Sequence, residues 1–129
     1  MTDRLTYGRT ADDWHVLVLA AREFLDERAR LGRTTSYTEL NAVLERRTGL
    51  RAFRFDDASE RASMGHLLGL VVQEDFPTRG YMLSALVIYL DGNDAGSGFY
   101  ALATEMGLLE RGGDRLAFWT GQLQGLMRK

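Results

Sequence analysis

Apolar residues recur at helical spacing along the first part of the chain. Trp14, Leu17, Val18, Ala21, Phe24 and Leu25, with Arg28 closing the series, fall three and four apart and predict one amphipathic helix over 11–31. Tyr37, Leu40, Val43 and Leu44 predict a second, running to about Arg47. Ala58, Ala62, Leu67, Leu68, Val71 and Val72 predict a third, to about Asp75, with Pro77 ending it. The pattern then changes. Leu83 to Leu90 is a short apolar run rich in Val, Ile, Tyr and Leu, with only partial alternation. Such a run predicts a strand covered on both faces, the centre of the fold. Phe99 to Met106 reads as a short helix, and Leu116, Trp119, Leu123 and Leu126 as a last one, ending near Met127.

Turn and cap chemistry agrees with these limits. Thr10 and Ser36 each precede a predicted helix with an acid three residues on, Asp13 and Glu39, as in a capping box. Asp57 with Glu60 repeats the pattern, and Asp114 can cap the last helix. Gly32, Gly49 and Gly107 follow predicted helix ends. Gly65 and Gly69, one turn apart on the third helix, would let another backbone approach closely. The fold class that results is α+β. It is a helix-rich single domain spanning 1–129, with four or five helices, a small sheet and a C-terminal helix.

Composition narrows the function classes. A formal net charge of −2 speaks against avid non-specific binding to nucleic acid or anionic membranes, though it leaves room for a local basic patch. The absence of cysteine removes disulfides and thiolate chemistry. All the basic residues but Lys129 are arginine, which makes a lysine Schiff base or a P-loop lysine implausible. No signal peptide or membrane span is expected, and the chain reads as cytoplasmic.

Candidate chemistry is sparse. Asp91-Gly-Asn-Asp-Ala-Gly96 resembles a calcium loop, but Ala95 and Leu102 stand where that loop needs oxygen ligands. Gly96-Ser-Gly98 after a strand echoes a dinucleotide fingerprint, without the second βαβ unit that one needs. What remains there is a helix start whose N–H groups could hold an anion. His15 and His66 have no nucleophile or acid at the spacing of a catalytic or metal site. No catalytic residue, metal or cofactor is expected, and the chain does not read as an enzyme.

The order of long helix, short extended piece, two helices, strand and loop resembles a winged helix. Ser36-Tyr-Thr-Glu-Leu40 is similar to the start of the second helix in such domains, including alkyltransferase-like DNA-repair proteins. The cysteine of that family's transfer chemistry is absent here. Tyr37-x-Glu39-Leu40, Leu83-Ser-Ala-Leu-Val87 and Gly96-x-Gly98-Phe99 also resemble segments of small uncharacterised bacterial proteins, a likeness over about two thirds of the chain. The likeness implies a fold, and no activity comes with it.

Two functional readings follow. In the first, the protein is a small non-catalytic winged-helix-like module, nucleic-acid-binding or regulatory. Arg46, Arg47, Arg51 and Arg54 would contact the phosphates of double-stranded DNA. Ser59, Arg61, Ser63 and His66 would be presented by the third helix, although Asp56, Asp57 and Glu60 would repel phosphate at its tip. In the second, it is a protein-interaction module, of immunity or antitoxin type or a self-associating adaptor. Tyr81, Tyr89, Phe99, Tyr100, Phe118 and Trp119 supply the residue types that dominate interfaces, one or two of them expected to be exposed. Arginines 46–54 tied up in salt bridges, beside an exposed aromatic cluster near Gly96, would favour the second reading.

Overall fold

The structure, a computed structural model, describes residues 4–89 and 95–128. Helix α1 spans Ala11–Leu31, strand β1 Thr35–Ser36, helix α2 Tyr37–Thr48 and helix α3 Ala58–Arg79. A 3-10 turn at Leu83–Leu86 leads into strand β2, Val87–Ile88; helices α4, Ser97–Glu105, and α5, Arg115–Leu126, complete the order. The domain is helix-rich α+β with a two-stranded sheet and a C-terminal helix, as the sequence predicts.

Helix starts follow the sequence closely. The side chains of Thr10, Ser36 and Asp114 accept hydrogen bonds from the backbone N–H groups of Asp13, Glu39 and Ala117. Asp57 also caps α3, accepting from the N–H of Ser59. Glu60 takes no part in that cap and turns inward instead. The buried stripe of α3 is the expected one from Leu67 to Val72 and departs from it only in the first turns. Ala58 and Ala62 are exposed, whereas Glu60, Ser63, Met64, Leu67, Leu68, Val71, Val72 and Asp75 are buried.

Helix α3 also runs past the proline expected to stop it. Pro77 lies within the last turn, and the helix ends at Gly80, whose φ of 81° is a left-handed cap. Arg79 reaches back one turn to Asp75 and closes that last turn from the side. Near a helix end a proline removes few hydrogen bonds, so this clamp suffices to carry the backbone through.

The expected strand over 83–90 is the main correction. Leu83 to Leu86 coil into a 3-10 turn, and only Val87–Ile88 is extended; Leu90 lies outside the described residues. Leu83, Ser84, Ala85 and Leu86 are all buried, so the run is covered all round rather than on two faces. Backbone bonds close the turn, from the Ala85 N–H to the Met82 carbonyl and from the Val87 N–H to the Ser84 carbonyl, while Trp119 Nε1 donates to the Ala85 carbonyl and the Met82 N–H donates to Gln122 Oε1. A buried apolar run does not itself distinguish strand from helical turn. Here its polar groups bond within the turn and to α5 instead of to a neighbouring strand.

Strands β1 and β2 pair in parallel, Thr35 with Val87 and Ser36 with Ile88. Two units of like order, α1-β1-α2 and α3-β2-α4, thus lie with their strands side by side. The leading helices are aligned too. Arg9 binds Glu60, Arg22 binds Asp75 and Arg79 binds Asp26, at sequence separations of 51, 53 and 53. A near-constant offset means that α1 and α3 run in the same direction. The core between them holds Leu17, Leu25, Leu67, Val71, Leu83 and Leu86, all fully buried.

Helix α5 contains two glycines in different surroundings. A Cβ at Gly125 would sit 2.1 Å from the Tyr81 ring, whereas one at Gly121 would meet nothing within 4 Å. Gly125 is therefore the close-approach site by which α5 docks. Gly121→Ala should raise stability by about 1 kcal/mol through helix propensity. Gly125→Ala should lower it by about 1–3 kcal/mol through overpacking. Urea unfolding of the two variants checks the opposite signs.

Candidate binding surfaces and the fate of the arginines

At the start of α3 a buried ion pair draws in Ser63 and Arg51, two of the residues expected to face nucleic acid. Arg9 is buried, and its guanidinium spans Glu60 with two bonds, Nη1 to Oε2 at 2.9 Å and Nη2 to Oε1 at 3.1 Å. The same Nη1 donates to Ser63 Oγ at 2.9 Å. The guanidinium lies 4.0 Å from the centre of the Phe53 ring, whose face favours a cation. Arg51 Nη1 adds a bond to Glu60 Oε1 at 2.8 Å, and the Arg54 N–H a longer one at 3.3 Å. With the Arg9 bonds foremost and those of Arg51 and Arg54 behind them, the Glu60 carboxyl is held down to about 2, against the opposing effect of burial.

Each predicted DNA-contacting residue can now be placed. Ser63 is buried under Arg9 and cannot be presented outward, which corrects the expectation. His66 is half-buried, edge-on to Trp14 at 4.9 Å and beside Tyr7 at 5.4 Å. Arg51 serves Glu60. Arg47 forms a two-pronged pair with Glu27, both bonds at 2.9 Å, with Glu23 nearby at 3.8 Å. Arg61 donates to the Phe55 carbonyl at 2.7 Å. Arg54 faces Asp56 across 3.5 Å, both largely in solvent, a pair of little energetic weight. Ser59 and Arg46 are exposed, and Arg46 has no ion pair among the described residues.

A second buried carboxylate was equally unforeseen. Asp75 is 1% exposed and takes Arg22 on one oxygen at 2.9 Å and Arg79 on the other. Arg79 also reaches Asp26 at 2.8 Å. The signal was present in the sequence: Glu60, Met64, Leu67, Val71 and Asp75 repeat at spacings of three and four, so both carboxylates sit on the core stripe. A buried carboxylate demands a buried cation, which points to arginines elsewhere in the chain.

Two concavities lie beside the sheet and beside α4. The first, about 630 Å³, is an open basin beyond the end of α1, beside both strands and the first turn of α2. Arg28, Arg33, Ser36, Glu39, Ile88 and Tyr89 are among its walls. Arg28 pairs with Glu39 at 3.0 Å, while Arg33 is exposed and has no ion pair among the described residues. Tyr89 is 53% exposed and leans on Tyr37, ring centres 5.2 Å apart. Burial, and secondarily Tyr89, push the Tyr37 hydroxyl up to about 12, so it stays protonated. Gly96 makes room for it: a Cβ there would lie 2.4 Å from the Tyr37 oxygen. The second concavity, about 200 Å³, is a narrower cleft between α3 and α4. Phe99, Tyr100 and Trp119 are buried and Tyr81 and Phe118 half-buried, leaving Tyr89 as the one exposed ring of the six aromatics proposed for an interface.

Among the described residues no cluster of His, Asp and Glu could hold a metal ion, and no helix is long and apolar enough to cross a membrane. Asp91 to Asp94 of the calcium-like turn lie outside the described residues.

The Glu60 cluster has a pH signature. Its carboxyl is depressed in the folded state, so the pair contributes full stability above the unfolded value near 4.5. That contribution should disappear as pH falls from there through about 2. Glu60→Gln leaves Arg9 buried without a counter-charge and should cost about 3–5 kcal/mol at neutral pH. It should also flatten this part of the stability–pH curve, as measured by denaturant unfolding across the range. No family model, no curated protein and no solved structure matches the chain.

Proposed function

We propose that the protein is a small non-catalytic protein-interaction module whose docking surface is the basin beside β1 and β2. One observation carries this reading. Of the arginines suited to phosphate, Arg47 and Arg51 are engaged by the protein's own carboxylates, whereas Tyr89 stands exposed over the basin with its ring braced on Tyr37.

The basin's composition indicates the partner's chemistry. Tyr, Arg and Met are enriched at interface cores, and Tyr89, Arg28, Arg33 and Met127 all line it. Ile88 and Tyr89 offer apolar contact. Arg28 is neutralised by Glu39, so Arg33 leaves the basin one positive charge in excess among its lining residues. A partner segment presenting an apolar side chain beside a carboxylate complements both features.

The nucleic-acid reading keeps the order α1-β1-α2-α3-β2 that carries the winged-helix likeness, together with exposed Arg46, Arg54 and Arg61. It loses Ser63 and Arg51 to the Glu60 cluster and Arg47 to Glu27.

Selection of a displayed random-peptide library on the intact chain separates the two. Under the proposal, enriched peptides carry an apolar residue next to Asp or Glu. Tyr89→Ala should then weaken their binding by about 30-fold, the scale of an interface hot spot. Arg33→Glu should weaken it as well, and Arg46→Glu should leave it unchanged. If no peptide is enriched and mixed-sequence duplex binds in a salt-dependent manner that Arg46→Glu abolishes, the module is a nucleic-acid binder.

A further inference from the structure

Helix α1 carries a second surface, on the side away from the core. Val16 and Leu19 are large, apolar and exposed there, while Leu17, Val18 and Ala21 face inward. Val16, Leu19 and Glu23 follow at spacings of three and four, so they form one stripe. Between this stripe and the end of α2 lies an open hollow of about 500 Å³, with Glu27 and Arg47 also in its walls. Arg47 gives both of its short bonds to Glu27 and stands 3.8 Å from Glu23, whose side chain is largely in solvent. The hollow thus carries two carboxylates against one guanidinium, an excess of one negative charge among its lining residues.

This is the converse of the basin, where Arg33 leaves one positive charge in excess beside the exposed ring of Tyr89. Pairing either surface with its own kind would set Arg33 against Arg33 or Glu23 against Glu23, so charge selects the mixed pairing. One copy cannot make that pairing with itself. Arg28, in the basin wall, follows Leu19 by nine residues, or two and a half turns, and so leaves α1 on the side opposite the stripe. Glu23 also lies about 12 Å along the helix axis before Leu31, and the basin opens beyond that end.

We propose that the chain associates with itself head to tail, the basin of one copy seated on the α1 stripe of the next. Tyr89 enters the hollow against Val16 and Leu19, and Arg33 meets Glu23. This rests on the basin being a docking surface and names its partner as a second copy of the chain. The stripe offers apolar side chains beside a carboxylate on a helix that is already ordered, so docking costs little conformational entropy. Because two different surfaces meet, every open assembly keeps one free basin and one free stripe, and it grows with concentration until it closes into a ring. Few side chains engage on each side, which puts the contact in the small, transient class, with association over about 10 µM to 1 mM.

Sedimentation velocity across that range tests the pairing. The mass-average of the parent chain should exceed that of one copy and rise with concentration. Arg33→Glu and Glu23→Arg should each keep the chain monomeric, and the double variant Arg33→Glu/Glu23→Arg should associate again, a rescue that a folding defect would not give. Tyr89→Ala and Leu19→Ser should each be monomeric alone. Mixed, they should form a one-to-one dimer that does not grow, since the first retains its stripe and the second its basin. All four side chains are exposed, so circular dichroism should show the parent's helix content in every variant. A parent chain that stays monomeric throughout would overturn the proposal. So would association that Leu19→Ser and Glu23→Arg leave intact, or a mixture of Tyr89→Ala and Leu19→Ser that stays monomeric. Peptides enriched on the basin of a chain that does not self-associate would overturn the second copy as partner and leave the docking surface standing.

Discussion

Burial of a carboxylate near each end of one helix face is the constraint on which this structure depends. Glu60 and Asp75 share the stripe of α3 that carries Met64, Leu67, Leu68, Val71 and Val72 into the core. Neither charge can be buried alone, and each takes two arginines. Arg9 and Arg22 bring the N-terminal segment and α1 to α3 at two heights, which fixes the direction and the level of one helix against the other. Hydrophobic contact supplies the attraction between the two faces without specifying their axial level. The ion pairs supply that. Arg22 and Asp26 on α1 face Asp75 and Arg79 on α3 with the signs crossed, so a slip of one turn would place like charge against like.

The same constraint shapes the outer surface. Half-buried or buried carboxylates draw Arg51, Arg79 and Arg22 inward, and Glu27 engages Arg47 on the surface. An arginine-rich sequence thus yields a face with few uncommitted guanidinium groups. The features without a partner among the described residues lie elsewhere: Arg33 beside exposed Tyr89 in the basin, and the buried hydroxyl of Ser84.

Helix positions were legible because caps and periodicity are local. Thr10, Ser36, Asp57 and Asp114 act where the sequence places them. The 83–86 segment was not legible, because its conformation is decided by bonds to Trp119 and Gln122, more than thirty residues away. Pro77 misled for a related reason, since its tolerance depends on the clamp from Arg79 and its place in the final turn. The arginine site was misread because residue type was weighed without partners. Ser63 is polar and two residues from exposed Arg61, yet its neighbour in space is Arg9. The spacing of Glu60 and Asp75 on an apolar stripe was the available sign. Ser84 left no such sign, as an orphaned hydroxyl is visible only once its surroundings are known.

The parallel alignment of the two halves has a kinetic consequence. Arg9 with Glu60, Arg22 with Asp75, Asp26 with Arg79 and Thr35 with Val87 all join points more than fifty residues apart. An antiparallel helical hairpin can zip from its turn, gaining contacts as it pays loop entropy in small steps. Here the chain must close one large loop before any of these pairs forms, and the later ones then follow almost without further entropic loss. The first successful encounter of α1 with α3 is therefore the committing event of folding. Helix α2 needs no such encounter, since Arg28 with Glu39 and Glu27 with Arg47 join it to α1 across far shorter loops, whereas β1 and β2 face the same long closure as the helices ahead of them.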